Sequence, residues 1–351
     1  MTLSLNALLM FSLLASPITD DPTQKAPQDG EVKGGSVEKS SAAAPDKNDD
    51  GGRTLPKATY LEDDVEFFTA ADSGEKQGES YLLRYQFKDG EQLRYQTTQT
   101  MTQEAVGENQ RKIDISTVMQ KRRFQVTDVR KNGDASATMQ FEKVHMELKS
   151  GDLDPIVFDS SMTLKEVPRL YQAAARKLRG VAPEFELSAA GIKLDKEGVE
   201  IAPEKGRACF MVLLPQNEVR IGDTWKSTLE VEVRLTTKVN RTIRLLRTHR
   251  LTKVEDGIAH ITVSTSVMSP VVSVQVKSQL LQATPQGTIQ FDIARGRVVR
   301  RELNFDKSVL GAFGAGTMLS AKGKTVEELL PPAKVAKSDR NEGISSSRLS
   351  D

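Results

Sequence analysis

One stretch of this chain is written twice. Phe87-Lys-Asp-Gly-Glu-Gln-Leu-Arg-Tyr95 and, about 130 residues later, Val219-Arg-Ile-Gly-Asp-Thr-Trp-Lys-Ser227 share the order apolar, basic, any, Gly, acidic, polar, large apolar, basic. Later landmarks keep step. Gly90 pairs with Gly222, Asn132-Gly133 with Asp256-Gly257, and Phe158-Asp159 with Phe291-Asp292, at offsets of 132, 124 and 133 residues. A duplication of this length requires a fold assembled from two similar halves.

Within the copies the apolar residues recur with period two, the spacing of a strand with one buried face. Tyr81, Leu83, Tyr85 and Phe87 alternate with polar neighbours, Asp89-Gly90 supplies a turn, and Leu93, Tyr95 and Thr97 continue beyond it, which predicts a hairpin over 81–100. Further alternations predict strands over 113–129 and 135–148, joined by Lys131-Asn-Gly-Asp134, a strong hairpin signal. In the second copy Trp225, Ser227, Leu229, Val231, Val233 and Leu235 share one face of a strand. Strands then follow at 242–254, 258–267, 272–280, 288–293 and 297–305. The expected class is mainly β, with two related antiparallel halves forming a curved sheet or open barrel and one inserted α-helix.

That helix is predicted over 163–179, where Leu164, Val167, Tyr171, Ala174 and Leu178 recur at spacings of three and four and Gly180 stands at the C-terminal cap. Pro168 belongs in a first turn, whereas Thr163-x-x-Glu166 is a capping box that would start the helix earlier. The expected organisation is a signal peptide at 1–19, a polar linker at 20–79, a first β half at 80–160, the helix and a connecting hairpin at 161–205, a second β half at 206–331 and a tail at 332–351. The signal rests on the short apolar run Leu5 to Ala15, which no Lys or Arg precedes. The polar linker and the tail have too little apolar sequence to offset the entropy of ordering.

Composition excludes more than it suggests. A net charge of +1 gives no global field to recruit nucleic acid. With three histidines and one cysteine, Cys209 in an apolar run, the chain offers no ligand set at metal spacing and no disulfide framework, so no metal and no cofactor are expected. Asp46-Lys-Asn-Asp-Asp-Gly51 begins like a calcium loop, but the twelfth position is Lys57 where a bidentate carboxylate belongs. No phosphate loop, nucleophile elbow or zincin motif occurs, so no catalytic residue is assigned and the chain is read as a non-enzyme. No transmembrane segment is expected after signal removal.

These features resemble an uncharacterised family of secreted proteins common in planctomycete-type bacteria. The resemblance rests on Leu-Arg-Tyr-x-Phe-x-x-Gly-Glu-x-Leu-Arg-Tyr at 83–95, Gly222-Asp-Thr-Trp225 and Gly287-x-x-x-Phe-Asp292, and spans about 81–330. It implies a location and an architecture, and no chemistry.

Two binding modes follow from the architecture. If each half curls around an apolar interior plugged by the helix, a lipid or other apolar ligand would be lined by Tyr81, Leu83, Tyr85, Tyr171, Ala174, Leu178, Trp225, Leu229 and Val231, residue types that also serve as ordinary core. Small residues facing the 225–235 strand would favour such a cavity, and large ones a scaffold. Alternatively the chain is a cell-envelope module that holds a protein or polysaccharide through a sheet edge or a basic strand. In that strand Arg241, Arg244, Arg247 and Arg250, the candidate anion-binding residues for an anionic lipid or polysaccharide, recur every three residues, which sends alternate members to opposite faces. The expected location is secreted or periplasmic.

Overall fold

The computed structural model describes residues 78–332 apart from 108–109, 181, 183, 202–210 and 237–238. The expected signal, the calcium-like tract and Cys209 lie outside the described residues. The chain forms β1 (Gln92–Val106), β2 (Arg111–Val129), β3 (Ala135–Ser150), β4 (Ile156–Asp159), α1 (Gln172–Leu178), β5 (Glu184–Leu187), β6 (Lys193–Leu194), β7 (Thr224–Arg234), β8 (Asn240–Glu255), β9 (Ile258–Val267), α2 (Val274–Leu280), β10 (Gln286–Asp292), β11 (Arg297–Leu310) and β12 (Met318–Leu329). All twelve strands join one antiparallel sheet, ordered β6-β5-β3-β2-β1-β12-β11-β10-β9-β8-β7, with β4 on the flank of β3. The fold is mainly β, as expected, and the sheet is not closed.

Each copy is a meander, and β12 unites them by pairing with β11 on one side and with β1 on the other. The strands lie about 4.8 Å apart, so nine steps along the order would put β5 about 43 Å from β7 in a flat sheet. Yet Leu214 N–H donates to Ala190 O, just beyond β5, while the adjacent Leu213 O accepts from the Trp225 indole on β7 at 2.8 Å. The sheet therefore rolls until both flanks reach one connecting strap, residues 211–219.

The duplicated glycines gather at that end. Gly90 and Gly222 open β1 and β7 at φ 71° and 94°, a left-handed conformation that costs glycine nothing and other residues strain. The Asn-Gly and Asp-Gly turns lie at the same end, beside the strap. At the other end, called the mouth here, lie the β1–β2, β3–β4, β7–β8 and β11–β12 connections and the ends of α2.

Four sequence expectations are corrected. The hairpin over 81–100 has only one strand, because Tyr81, Tyr85 and Gln86 donate their backbone N–H groups to Val219, Ala189 and Gly296, three separate places. Period two correctly marks an extended chain with Leu83 and Tyr85 buried, but it cannot name a pairing partner. The helix expected at 163–179 is shorter: Glu166 accepts from Thr163 N–H at 2.8 Å in an isolated turn, Pro168 is extended at ψ 143°, and a 3-10 turn over Arg169–Tyr171 leads into α1. The strand expected over 272–280 is instead α2, capped by Ser273. Its valines fit a strand locally, but Val276 and Leu280, four apart, bury together against β7 and β8. Finally β12 was not expected, since Gly323 and Glu327 interrupt its apolar face.

The core fills only one face of the sheet, the inner one. At the strap end Leu83 and Tyr85 pack on Leu251, Ile261, Ile289 and Phe291. Tyr171, Ala174 and Ala175 seat the α1 region on Val118, Val144, Met146 and Phe158, placing the helix against the inner face. α2 covers β7 and β8, and Leu281 beyond it packs with Met101, Phe305, Val309 and Leu319. The outer face is polar.

Candidate functional site

Register places a row of inward side chains across the middle of the sheet: Gln120 on β2, Thr97 on β1, Glu327 on β12 and Arg301 on β11, with Ile289 and Ile261 beyond. Arg122 stands one step nearer the strap, opposite Tyr95. Arg122 Nη2 donates to Glu327 Oε2 and, at 3.1 Å, to Thr97 Oγ1, which itself donates to the same carboxylate oxygen at 3.1 Å. Arg301 Nη2 lies 3.1 Å from the other oxygen, Glu327 Oε1. One buried carboxylate thus serves one buried and one partly buried guanidinium, and the cluster carries a formal surplus of one positive charge. The Nε atoms of Arg122 and Arg301 are both buried without a hydrogen-bond partner.

A buried charge is costly unless it is matched. Burial pushes Arg122 below the usual arginine range, with Glu327 opposing the shift, and pushes the Tyr95 phenol up, with Glu327 adding to it. Tyr95 donates to Val298 O at 3.1 Å. Beside this cluster is a small cavity lined by Tyr85, Tyr95, Phe124, Met211, Val298 and Glu327. It has room for about one water molecule, well below the several hundred Å³ that a drug-sized ligand fills.

The nine residues expected to line an apolar pocket fall into three separate clusters. Leu83 and Tyr85, with Tyr81 and Trp225 partly buried, belong to the strap-end core; Tyr171, Ala174 and Leu178 are on the sheet-facing side of α1 and its entry; Leu229 and Val231 lie under α2. Of the nine, Tyr85 reaches the cavity. The neighbours of the 225–235 face are large, since Ile243, Leu245, Val276 and Leu280 close on it. The basic strand is β8, and its arginines divide by register as parity requires. Arg241 and Arg247 share the face of Ile243 and Leu245, whereas Arg244 and Arg250 lie on the outer face, where Arg244 meets Glu230 at 3.5 Å.

Sequence reading did not find Arg122, Glu327 and Arg301. Their signal was available: Arg122 lies between Gln120 and Phe124 on the inward parity of a strand, where a charge is out of place. Among the described residues no three His, Cys, Asp or Glu side chains converge as a metal would need. Nor is any helix long and apolar enough to cross a membrane.

Residues 205–298, a stretch that takes in the strap and ends at the start of β11, match a family of unknown function (DUF6263). No curated protein matches. Among solved structures, a lipovitellin chain described under lipid-protein interactions is 10% identical over 70% of this chain with a TM-score of 0.39, and this chain spans only 25% of its length. A DUF1329 family protein from Desulfovibrio piger ATCC 29098 is 9% identical, covering 65% of this chain and 83% of that one, with a TM-score of 0.13. Likeness at these scores carries no weight for function.

Proposed function

We propose that this is a secreted or periplasmic, non-catalytic binding protein whose inner face takes an amphiphile with an anionic head, a long-chain fatty acid being the simplest of the class. One observation supports the reading: the middle of the inner wall holds a cluster with two guanidiniums to one carboxylate and two Nε–H groups left unpartnered. A ligand carboxylate would neutralise the surplus charge and accept from those donors, an arrangement that suits Arg geometrically. Its acyl chain would lie along the surfaces that α1 and α2 now cover. Because the cavity holds about one water molecule, binding requires one of these short helices to lift.

The test is native mass spectrometry of the full chain with oleate. Stoichiometric uptake is expected, weakened roughly tenfold or more when Arg301→Met removes a charge-assisted contact. The triple variant Arg122→Met, Arg301→Met, Glu327→Met replaces the cluster with apolar volume and is expected to fold. If that variant binds oleate as tightly as the parent, or if the parent takes up none, the reading fails and an envelope interaction module is the better account.

A further inference from the structure

Large apolar side chains are exposed mainly at the mouth. Val239 on the β7–β8 turn, Met268 and Val272 on the loop into α2, Val274 at its start, and Leu310 and Phe313 on the β11–β12 turn all stand open, Val272 at 87% and Leu310 at 75% exposure. They come from three connections along the β7-to-β12 side of the rim, which at about 4.8 Å per strand spans roughly 20 to 25 Å. No one turn builds a pocket. Each instead contributes one or two side chains to a common edge.

The charge along this arc has one sign. There is no Asp or Glu in 233–254, in 257–291 or in 307–326, tracts that include all three connections and α2. Arg234, Arg241 and Lys277 are exposed there, and among the described residues none has a carboxylate partner. The nearest acids, Glu232 and Asp306, lie below the tips, and Asp306 faces Lys322 at 3.5 Å. The other side of the mouth differs, with Glu104, Asp152 and Asp154 around Leu153. An apolar edge bordered only by cations complements an anionic lipid surface, where apolar tips enter the headgroup layer and basic groups meet lipid phosphates.

We infer that the β7-to-β12 arc of the mouth docks on a bilayer containing anionic lipid. The inference rests on exposure and charge at the rim, and stands whether or not the inner face takes a ligand. Vesicle sedimentation with the full chain tests it, using phosphatidylcholine with and without phosphatidylglycerol. Binding is expected only to the anionic vesicles and should weaken with salt. Each basic residue near such a surface contributes about a factor of five, so Arg234→Gln, Arg241→Gln and Lys277→Gln together should lower partitioning about 100-fold. Val272→Asp with Leu310→Asp alters exposed positions only and should lower it by at least about tenfold.

No binding to anionic vesicles would overturn the inference. So would binding that ignores the Val272 and Leu310 changes, which would make the contact merely electrostatic, or self-association that those changes abolish without any vesicle binding. Leu153→Asp, on the acidic side, is the control and should leave partitioning unchanged; an equal loss there would also count against the assigned arc.

Discussion

His249 shows how a single side chain can set the response of the fold to acid. It is 3% exposed, stacks on Trp225 with ring centroids 5.3 Å apart, and leaves Nδ1 unpartnered. Burial, with Arg247 second, lowers its pKa from 6.5 to about 4. The unfolded chain therefore takes up a proton between these values that the folded chain refuses. Stability from this residue is complete above about pH 6.5 and falls as pH drops toward 4. Between pH 7 and pH 5 the loss is about 2 kcal/mol. Urea unfolding at the two pH values should show it, and His249→Leu should remove most of that difference; an unchanged pH response in the variant would place the acid sensitivity elsewhere. Legibility at this scale was uneven. The turn glycines could be read because only a positive φ explains a Gly repeated at matching turns, whereas Arg122, Glu327 and Arg301 come from three strands and meet only through register.

Among the elements, α2 is tied to the sheet by little hydrogen bonding. Its hydrogen-bonded link to β7 is one side chain, Gln279, which accepts from Arg234 N–H at 2.8 Å and donates to Arg234 O at 2.7 Å, both exposed. Gln279→Ala is expected to cost about 1 kcal/mol and to speed amide exchange in 273–285 ahead of the neighbouring strands. Uniform acceleration across the sheet would instead show that α2 opens only with global unfolding. This helix also marks where sequence reading stops. Val272, Val274 and Val276 alternate as in a strand, and only the apolar floor of β7 and β8, distant in sequence, decides for a helix. The same limit applies to 81–87, where extended conformation was readable but its three separate backbone partners were not. Strands such as β8, whose partners β7 and β9 adjoin it in sequence across short turns, matched expectation closely.

For the whole molecule, duplication predicted two halves joined in a curved sheet but not the strand that joins them. β12 belongs to the second copy by chain order, yet it pairs with β1 over Tyr95 to Val106. Neither half has a complete sheet without it. One cooperative unfolding transition is therefore expected, with calorimetric and van't Hoff enthalpies equal, and deleting 318–351 should abolish folded structure in both copies. Two resolved transitions would show the halves to be separate domains. Sequence reading missed β12 because inward Gly323 lies beneath the Phe305 ring and inward Glu327 sits between arginines, so the strand lacks a continuous apolar stripe. There is also a consequence for presentation. Residue 81 enters by pairing with Val219, and Leu330 leaves by donating to Arg94 O, so both ends of the folded body emerge beside the strap. Whatever holds this body by either end grips it by its base, and the opposite rim faces outward toward whatever it meets.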